Sequence, residues 1–164
     1  MRRFRFVVAL GLASAAGACG AAPAARDGDA VIVEVVDGDT VVLDVAGREE
    51  RARLIGIDTP EVHVDAGEQP ECYGPEASAF TKQLLPPGTA VRLERDVVGR
   101  DDYGRLLVYV HRVADGQMVN EVIVAGGFAT PLSIAPNTAY APRFVAAARA
   151  AEAAGLGLWG ACGG

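Results

Sequence analysis

The sequence predicts an α+β, mainly β fold: a small closed barrel of five strands carrying three helices. Three observations lead there. Short β-branched runs alternate with turn dipeptides over the first third of the domain. Two helical segments, bounded by proline or glycine, follow the third and fifth runs. An alanine-rich segment then closes the chain. At 164 residues there is room for one compact domain and a short leader, and no internal repeat is visible.

The elements follow in order. Val31 to Val36 is the first strand, ended by Asp37-Gly38, a strong hairpin signal. Thr40 to Val45 is the second, and a turn at Ala46-Gly47 leads to the third, Ala52 to Ile57. Asp58-Thr59-Pro60 ends it, because proline cannot donate to a ladder. A polar, acidic loop runs from Val62 to Tyr73. Gly74-Pro75-Glu76 starts a helix, with proline at its first position and a carboxylate near the positive end of the dipole. Ala77, Phe80 and Leu84 share a face before Pro86-Pro87-Gly88 stops it. Ala90 to Arg95 and Arg105 to His111 are strands four and five. A second helix spans about Met118 to Ala125 ahead of Gly126-Gly127, and a third runs from about Ala141 to Gly155. This arrangement suits a barrel of the OB type.

Residues 1–19 read as an export signal. Met1 to Arg5 is basic, and Phe6 to Ala16 is apolar but too short to span a bilayer. Ala16-Gly17-Ala18-Cys19 resembles a bacterial lipoprotein box, in which Cys19 would carry the lipid; the alternative is an ordinary secretory signal cleaved near Ala18 or after Ala22. Residues 20–30 form a small, polar tether to a domain over 31–160, with 161–164 as a tail. The expected location is therefore the cell envelope, as a lipoprotein, or outside the cell, with membrane contact only through Cys19. Of three cysteines, Cys72 and Cys162 remain once Cys19 is set aside, and outside the cytosol such a pair tends to oxidise. Closing that loop is worth roughly 4 kcal/mol in the chain-entropy model; the alternative is two free thiols. No large apolar stripe is left over, so a monomer is expected.

Charge narrows the function. The net charge is −6, and losing the three charges of Arg2, Arg3 and Arg5 with a leader takes it to −9. Proteins that coat nucleic acid are usually basic, so any phosphate binding here must be local. The acids in Asp37-Gly38-Asp39 and Asp58-Thr59-Pro60-Glu61 sit at strand ends where a meander could bring them together. Converging carboxylates repel unless a cation lies between them. An all-oxygen set without His or Cys suits Ca²⁺ or Mg²⁺. Arg51 and Arg53 share one face of strand three, and Arg105 opens strand five. Two guanidinium forks beside a metal-bound phosphate would hold it and stabilise a pentacoordinate transition state. Glu61 is placed to orient or deprotonate an attacking water. His63, in the acidic loop, and His111, at a strand end, are read as solvated and structural respectively, not as ligands.

The blocks VVDGDTVVL (35–43), RLIGIDTPE (53–61), YGPEASAFTK (73–82), DDYGRLLVYV (101–110), MVNEVIVAGG (118–127) and GLW (157–159) together resemble the thermonuclease (staphylococcal-nuclease-like) family. The resemblance spans about Val31 to Trp159. It implies an OB-fold barrel with three helices and a Ca²⁺-dependent nuclease that hydrolyses DNA and RNA with little sequence preference; with the leader, the expectation is an exported enzyme. Residue by residue, it implies Asp39 and Asp58 as carboxylate metal ligands, with Thr59 giving a backbone carbonyl. Arg53 and Arg105 match the catalytic arginines, and Glu61 the glutamate that activates water. Asp37 matches an acid just outside the metal's ligands, and Tyr103 a tyrosine of the nucleotide pocket.

Departures from the family pattern bear on substrate. The stretch Pro131 to Asn137 has no tyrosine where members often stack bases, and Asp102 stands where a basic residue is common. Both point to weaker substrate binding or an altered nucleotide preference. The competing class is a non-catalytic OB-fold module that binds nucleic acid in the envelope, which needs none of the acids or arginines. A structural calcium-binding lipoprotein would need the acids alone.

Overall fold

A computed structural model describes residues 29–62 and 69–163. The leader, Cys19, the tether up to residue 28 and His63 lie outside the described residues. Five strands close into a barrel, as expected: β1 (Asp29–Asp37), β2 (Thr40–Val45), β3 (Arg48–Leu54), β5 (Ala90–Glu94) and β6 (Leu106–Arg112), in the order β1-β2-β3-β6-β5. β1 thus begins two residues before the expected strand. Every neighbouring pair is antiparallel except β3 with β6, and β1 closes the ring on β5. Closure leaves the barrel no free edge. Ile32, Val41, Leu43, Leu54, Val91, Val108 and Val110 fill it at 2% exposure or less.

The third expected run is two strands, not one. β3 stops at Leu54, and β4 (Gly56–Asp58) leaves the barrel to pair with β7 (Thr130–Leu132), a strand the sequence did not announce. Gly56 makes the break. Its φ is +82°, and a Cβ there would lie 2.4 Å from Phe144 Cε2. Phe144 lies on α3 (Ala141–Ala153) and is fully buried, so the break is where that helix packs onto the barrel.

α1 (Gly74–Leu84) and α2 (Val119–Ala125) stand where expected, the latter followed by Gly127 at φ +75°. A fourth short helix, α4 (Leu158–Ala161), had no expectation behind it. It docks where Leu158 N–H donates to the Gly127 carbonyl at 2.8 Å, and Cys162 at its end forms a disulfide with Cys72, Cα to Cα 5.9 Å. Trp159 packs partly against the core. His111 is buried on β6, with Nε2 2.9 Å from a Glu94 carboxylate oxygen.

Candidate active site

Asp39 is held by the hairpin that carries it. Only Gly38 and Asp39 separate β1 from β2. Gly38 N–H donates to Asp37 Oδ1 at 2.7 Å, and the Gly38 carbonyl accepts from Thr81 Oγ1 of α1 at 2.7 Å. A Cβ on Gly38 would sit 2.6 Å from Thr59 Oγ1, so glycine lets the segment after β4 lie directly on the turn. Thr59 N–H then donates to Asp39 Oδ2 at 3.0 Å, and Leu54 N–H to the Asp39 carbonyl at 2.8 Å. The residue is 2% exposed.

Arg53 joins the two acidic segments. Its Nη1 donates to Asp39 Oδ1 and its Nη2 to Asp58 Oδ1, both at 2.6 Å. The side chain of Asp58 is about half exposed and that of Asp39 almost wholly buried. Burial pushes the Asp39 carboxyl above its ordinary range; Arg53 and the Thr59 N–H pull it back, and Asp58 adds to the push. Glu61, at the surface, is raised as well, first by partial desolvation and then by its hydrogen bond to Asp37.

Arg105 is oriented by a residue the sequence reading passed over. Asp101 Oδ2 accepts from Arg105 Nε at 2.7 Å, while Asp101 Oδ1 accepts from the main-chain N–H of Arg105 at 2.9 Å and of Tyr103 at 3.1 Å. Burial pushes the Asp101 carboxyl up, but the hydrogen bonds from Arg105 outweigh it and hold the group below its usual range. The signal was present: an Asp two residues before Tyr103-Gly104 is the residue type that closes an Asx turn. The Arg105 guanidinium carbon lies 5.6 Å from the Tyr103 ring centroid, and Tyr103 is 87% exposed.

Arg53, Arg105 and Tyr103 all line one cleft of about 360 Å³, together with Asp102, Leu132 and Ile134. Asp58 and Thr59 border a separate hollow beside the disulfide. Asn137 braces the cleft wall, with Oδ1 accepting from Val98 N–H and Nδ2 donating to the Val98 carbonyl. The structure thus gathers Asp39, Asp58, Thr59 and Arg53 at one point, sets Glu61 against Asp37 beside them, and places Arg105 and Tyr103 in the cleft that Arg53 also lines. Cys72 and Cys162 are apart from the cleft.

Among the described residues, no three His, Cys, Asp or Glu side chains are placed to hold a metal ion. The donor chemistry still fits a hard cation. Two carboxylates, one nearly buried, already share a single positive partner, and they are oxygen donors throughout.

Comparison with known proteins agrees with the fold. The family described as "Staphylococcal nuclease homologue" matches residues 51–161. The chain is 39% identical over 129 residues to the thermonuclease of Staphylococcus hyicus, covering 78% of this chain and 73% of that protein. It is 40% identical over 130 residues to the thermonuclease of Staphylococcus intermedius, covering 79% and 74%. With Endonuclease YncB of Bacillus subtilis (strain 168), identity is 35% over 131 residues, or 78% of this chain and 60% of that protein. The protein is a hydrolase of the nuclease class. It belongs to the staphylococcal nuclease family.

Proposed function

We propose that the protein is an exported, Ca²⁺-dependent nuclease that hydrolyses phosphodiester bonds of DNA and RNA with low sequence specificity. The observation that carries this reading is Arg53 bridging Asp39 and Asp58 on the rim of a cleft that also holds Arg105. Export is supported by the basic and apolar leader and by the Cys72–Cys162 disulfide, since such bonds persist in oxidising compartments. A lipid on Cys19 would be the protein's tie to the membrane.

Asp39, Asp58 and the Thr59 carbonyl would hold Ca²⁺, which when bound supplies charge neutralisation and Lewis acidity at the scissile phosphate. The remaining chemistry belongs to the chain. Arg105 would donate paired N–H groups to phosphate oxygens, and Arg53 would do the same once a bound cation takes its place between Asp39 and Asp58; those bonds strengthen as charge builds in the transition state. Glu61 accepts a proton from the attacking water as its oxygen bonds to phosphorus. The ester P–O bond opposite breaks, and the leaving oxygen takes its proton from solvent. Glu61, set against Asp37 beside the proposed cation ligands, is placed for the part of general base. Tyr103 offers an exposed ring to sugar or base.

The test is cleavage of single-stranded DNA by the chain from Gly20 onward, with Ca²⁺ and with chelator, beside Glu61→Gln and Arg53→Ala. Cleavage that requires Ca²⁺ and collapses in both variants is expected. A folded wild-type protein that retains DNA uncut in Ca²⁺ would overturn the catalytic reading in favour of a binding module.

A further inference from the structure

A catalytic carboxylate is only as well placed as the main chain that carries it. On the N-terminal side of Glu61, Thr59 fixes the chain by its N–H bond to Asp39 and its burial against Gly38. On the C-terminal side the fixing comes from Glu71, ten residues on. Glu61 N–H donates to the Glu71 carboxylate (Oε2) at 3.0 Å, and Glu71 N–H donates back to the Glu61 carbonyl at 3.0 Å. One residue thus grips both polar groups of the other's backbone.

That grip is itself anchored. The Glu71 carbonyl accepts from Gly74 N–H at 3.0 Å, and Gly74 lies so close that a Cβ there would be 2.6 Å from the Glu61 carbonyl oxygen. Tyr73 stacks on Phe128 with ring centroids 5.5 Å apart. Between Glu71 and Tyr73, Cys72 is bonded to Cys162 of the tail, and α4 hangs from the Gly127 carbonyl that follows α2. A covalent path therefore runs from the tail to the residue that holds Glu61.

We propose that Glu71 is a positioning residue of the nuclease reaction, holding Glu61 through its main chain, and that the Cys72–Cys162 disulfide fixes Glu71 for that task. This rests on the reading of Glu61 as the general base. Glu71 and the disulfide lie outside the cleft lined by Arg53, Tyr103 and Arg105, so their loss is expected to change turnover and not binding. Glu71 acts as a hydrogen-bond acceptor, so a glutamine, which keeps an acceptor oxygen, restores it.

The experiment measures kcat and KM on single-stranded DNA in Ca²⁺, with thermal unfolding, for Glu71→Ala, Glu71→Gln, the double variant Cys72→Ser/Cys162→Ser, the triple variant with Glu71→Ala, and Glu61→Gln. A misplacement of 1 Å can cost about 10²-fold, so Glu71→Ala is expected to lose about tenfold or more in kcat with KM within about twofold. Its melting midpoint stays near that of the wild type, because the one bond lost, from Glu61 N–H to the carboxylate, is at the surface and the main-chain bonds of residue 71 remain. Glu71→Gln recovers most of the rate. The triple variant falls less than the product of its parts, since both changes loosen one device. Wild-type kcat in Glu71→Ala, beside an inactive Glu61→Gln, overturns the proposal alone. So does an equal loss in Glu71→Ala and Glu71→Gln, or a strictly multiplicative triple variant. Wild-type turnover in Glu61→Gln overturns instead the reading on which it rests.

Discussion

Asn120 ties α2 to the chain at the strand break before Asp58, and replacing it with alanine tests what that tie is worth. It is fully buried in the first turn of α2. Its Oδ1 accepts from Val110 N–H at 2.9 Å, and its Nδ2 donates to the Ile55 carbonyl at 2.9 Å and, more weakly, to the Val108 carbonyl at 3.4 Å. Val108 keeps another partner, since Ile55 N–H donates to its carbonyl at 3.1 Å. Asn120→Ala therefore strands two buried groups, the Val110 N–H and the Ile55 C=O. At about 1–3 kcal/mol for each unsatisfied group, the expected loss is about 2–6 kcal/mol. That is a large share of the roughly 5–15 kcal/mol that holds a domain together.

The assay is urea unfolding followed by circular dichroism, with the slope against denaturant checked for constancy. A loss under about 1 kcal/mol at unchanged slope refutes the accounting, because it means the two groups find other partners at little cost. Asn120→Asp sharpens the test. A buried carboxylate accepts from Val110 but cannot donate to Ile55 unless it is protonated, so its folded pKa lies above the unfolded value of about 3.9. The acid's contribution is then present below that unfolded value and lost as pH rises through the folded one. The deficit relative to wild type narrows toward low pH.

Gly56→Ala should lower stability by about 2–4 kcal/mol, combining a left-handed residue with a Cβ forced onto Phe144, and a melting midpoint within about 2 °C of wild type would contradict it. Asp96 accepts hydrogen bonds from Ala139 N–H, Tyr109 OH and Val97 N–H, the first of these doing most to hold its carboxyl below the ordinary range. A depressed folded pKa gives stability that is present above the unfolded value and lost as pH falls through the folded one. Asp96→Asn should therefore flatten the stability–pH curve below about pH 4, measured by urea unfolding, and an unchanged curve would count against it. With Arg53 and Arg105 as the phosphate contacts, log(1/KM) for single strands should fall against log salt with a slope of about −1.4, and one steeper than about −3 would mean that many more contacts exist. Leu132→Tyr places an aromatic ring in the cleft, and at about 1–3 kcal/mol per stacked base it should lower KM by about fivefold or more; an unchanged KM would show that the missing tyrosines do not limit binding.

The barrel strands and the first three helices were legible because each has a local signal. Asp37-Gly38 must turn, Pro75 must open a helix, and β-branched runs must be covered on at least one face. The third run misled because periodicity reads continuously from Ala52 to Ile57, whereas the break at Gly56 is imposed by Phe144, a residue far along the chain. β7 was hidden for a related reason. Its three residues include Pro131, and only pairing with β4 makes them a strand.

The site divides along the same line. Residue types at strand ends gave the acids and arginines, since the chemistry of phosphate and of hard cations restricts which side chains can serve. What the sequence could not give is how those side chains are held. Asp39 is oriented by Thr59 N–H, and Glu61 is gripped by Glu71 N–H and carboxylate; Arg105 is aimed by Asp101. The first support is a main-chain N–H, which every residue possesses and which leaves no mark on composition, and the second pairs a main-chain N–H with a carboxylate ten residues away. The third uses an acid only four residues from Arg105, and by spacing alone that pair is indistinguishable from a neutralised surface pair. Such a pair would leave Arg105 idle. Asp101 instead binds Nε and the main chain, leaving the two Nη groups of the fork in a cleft shared with Arg53. The carboxylate that adds to the chain's net negative charge is thus the one that turns a flexible arginine into an oriented donor, and an acidic protein keeps local affinity for phosphate by that means.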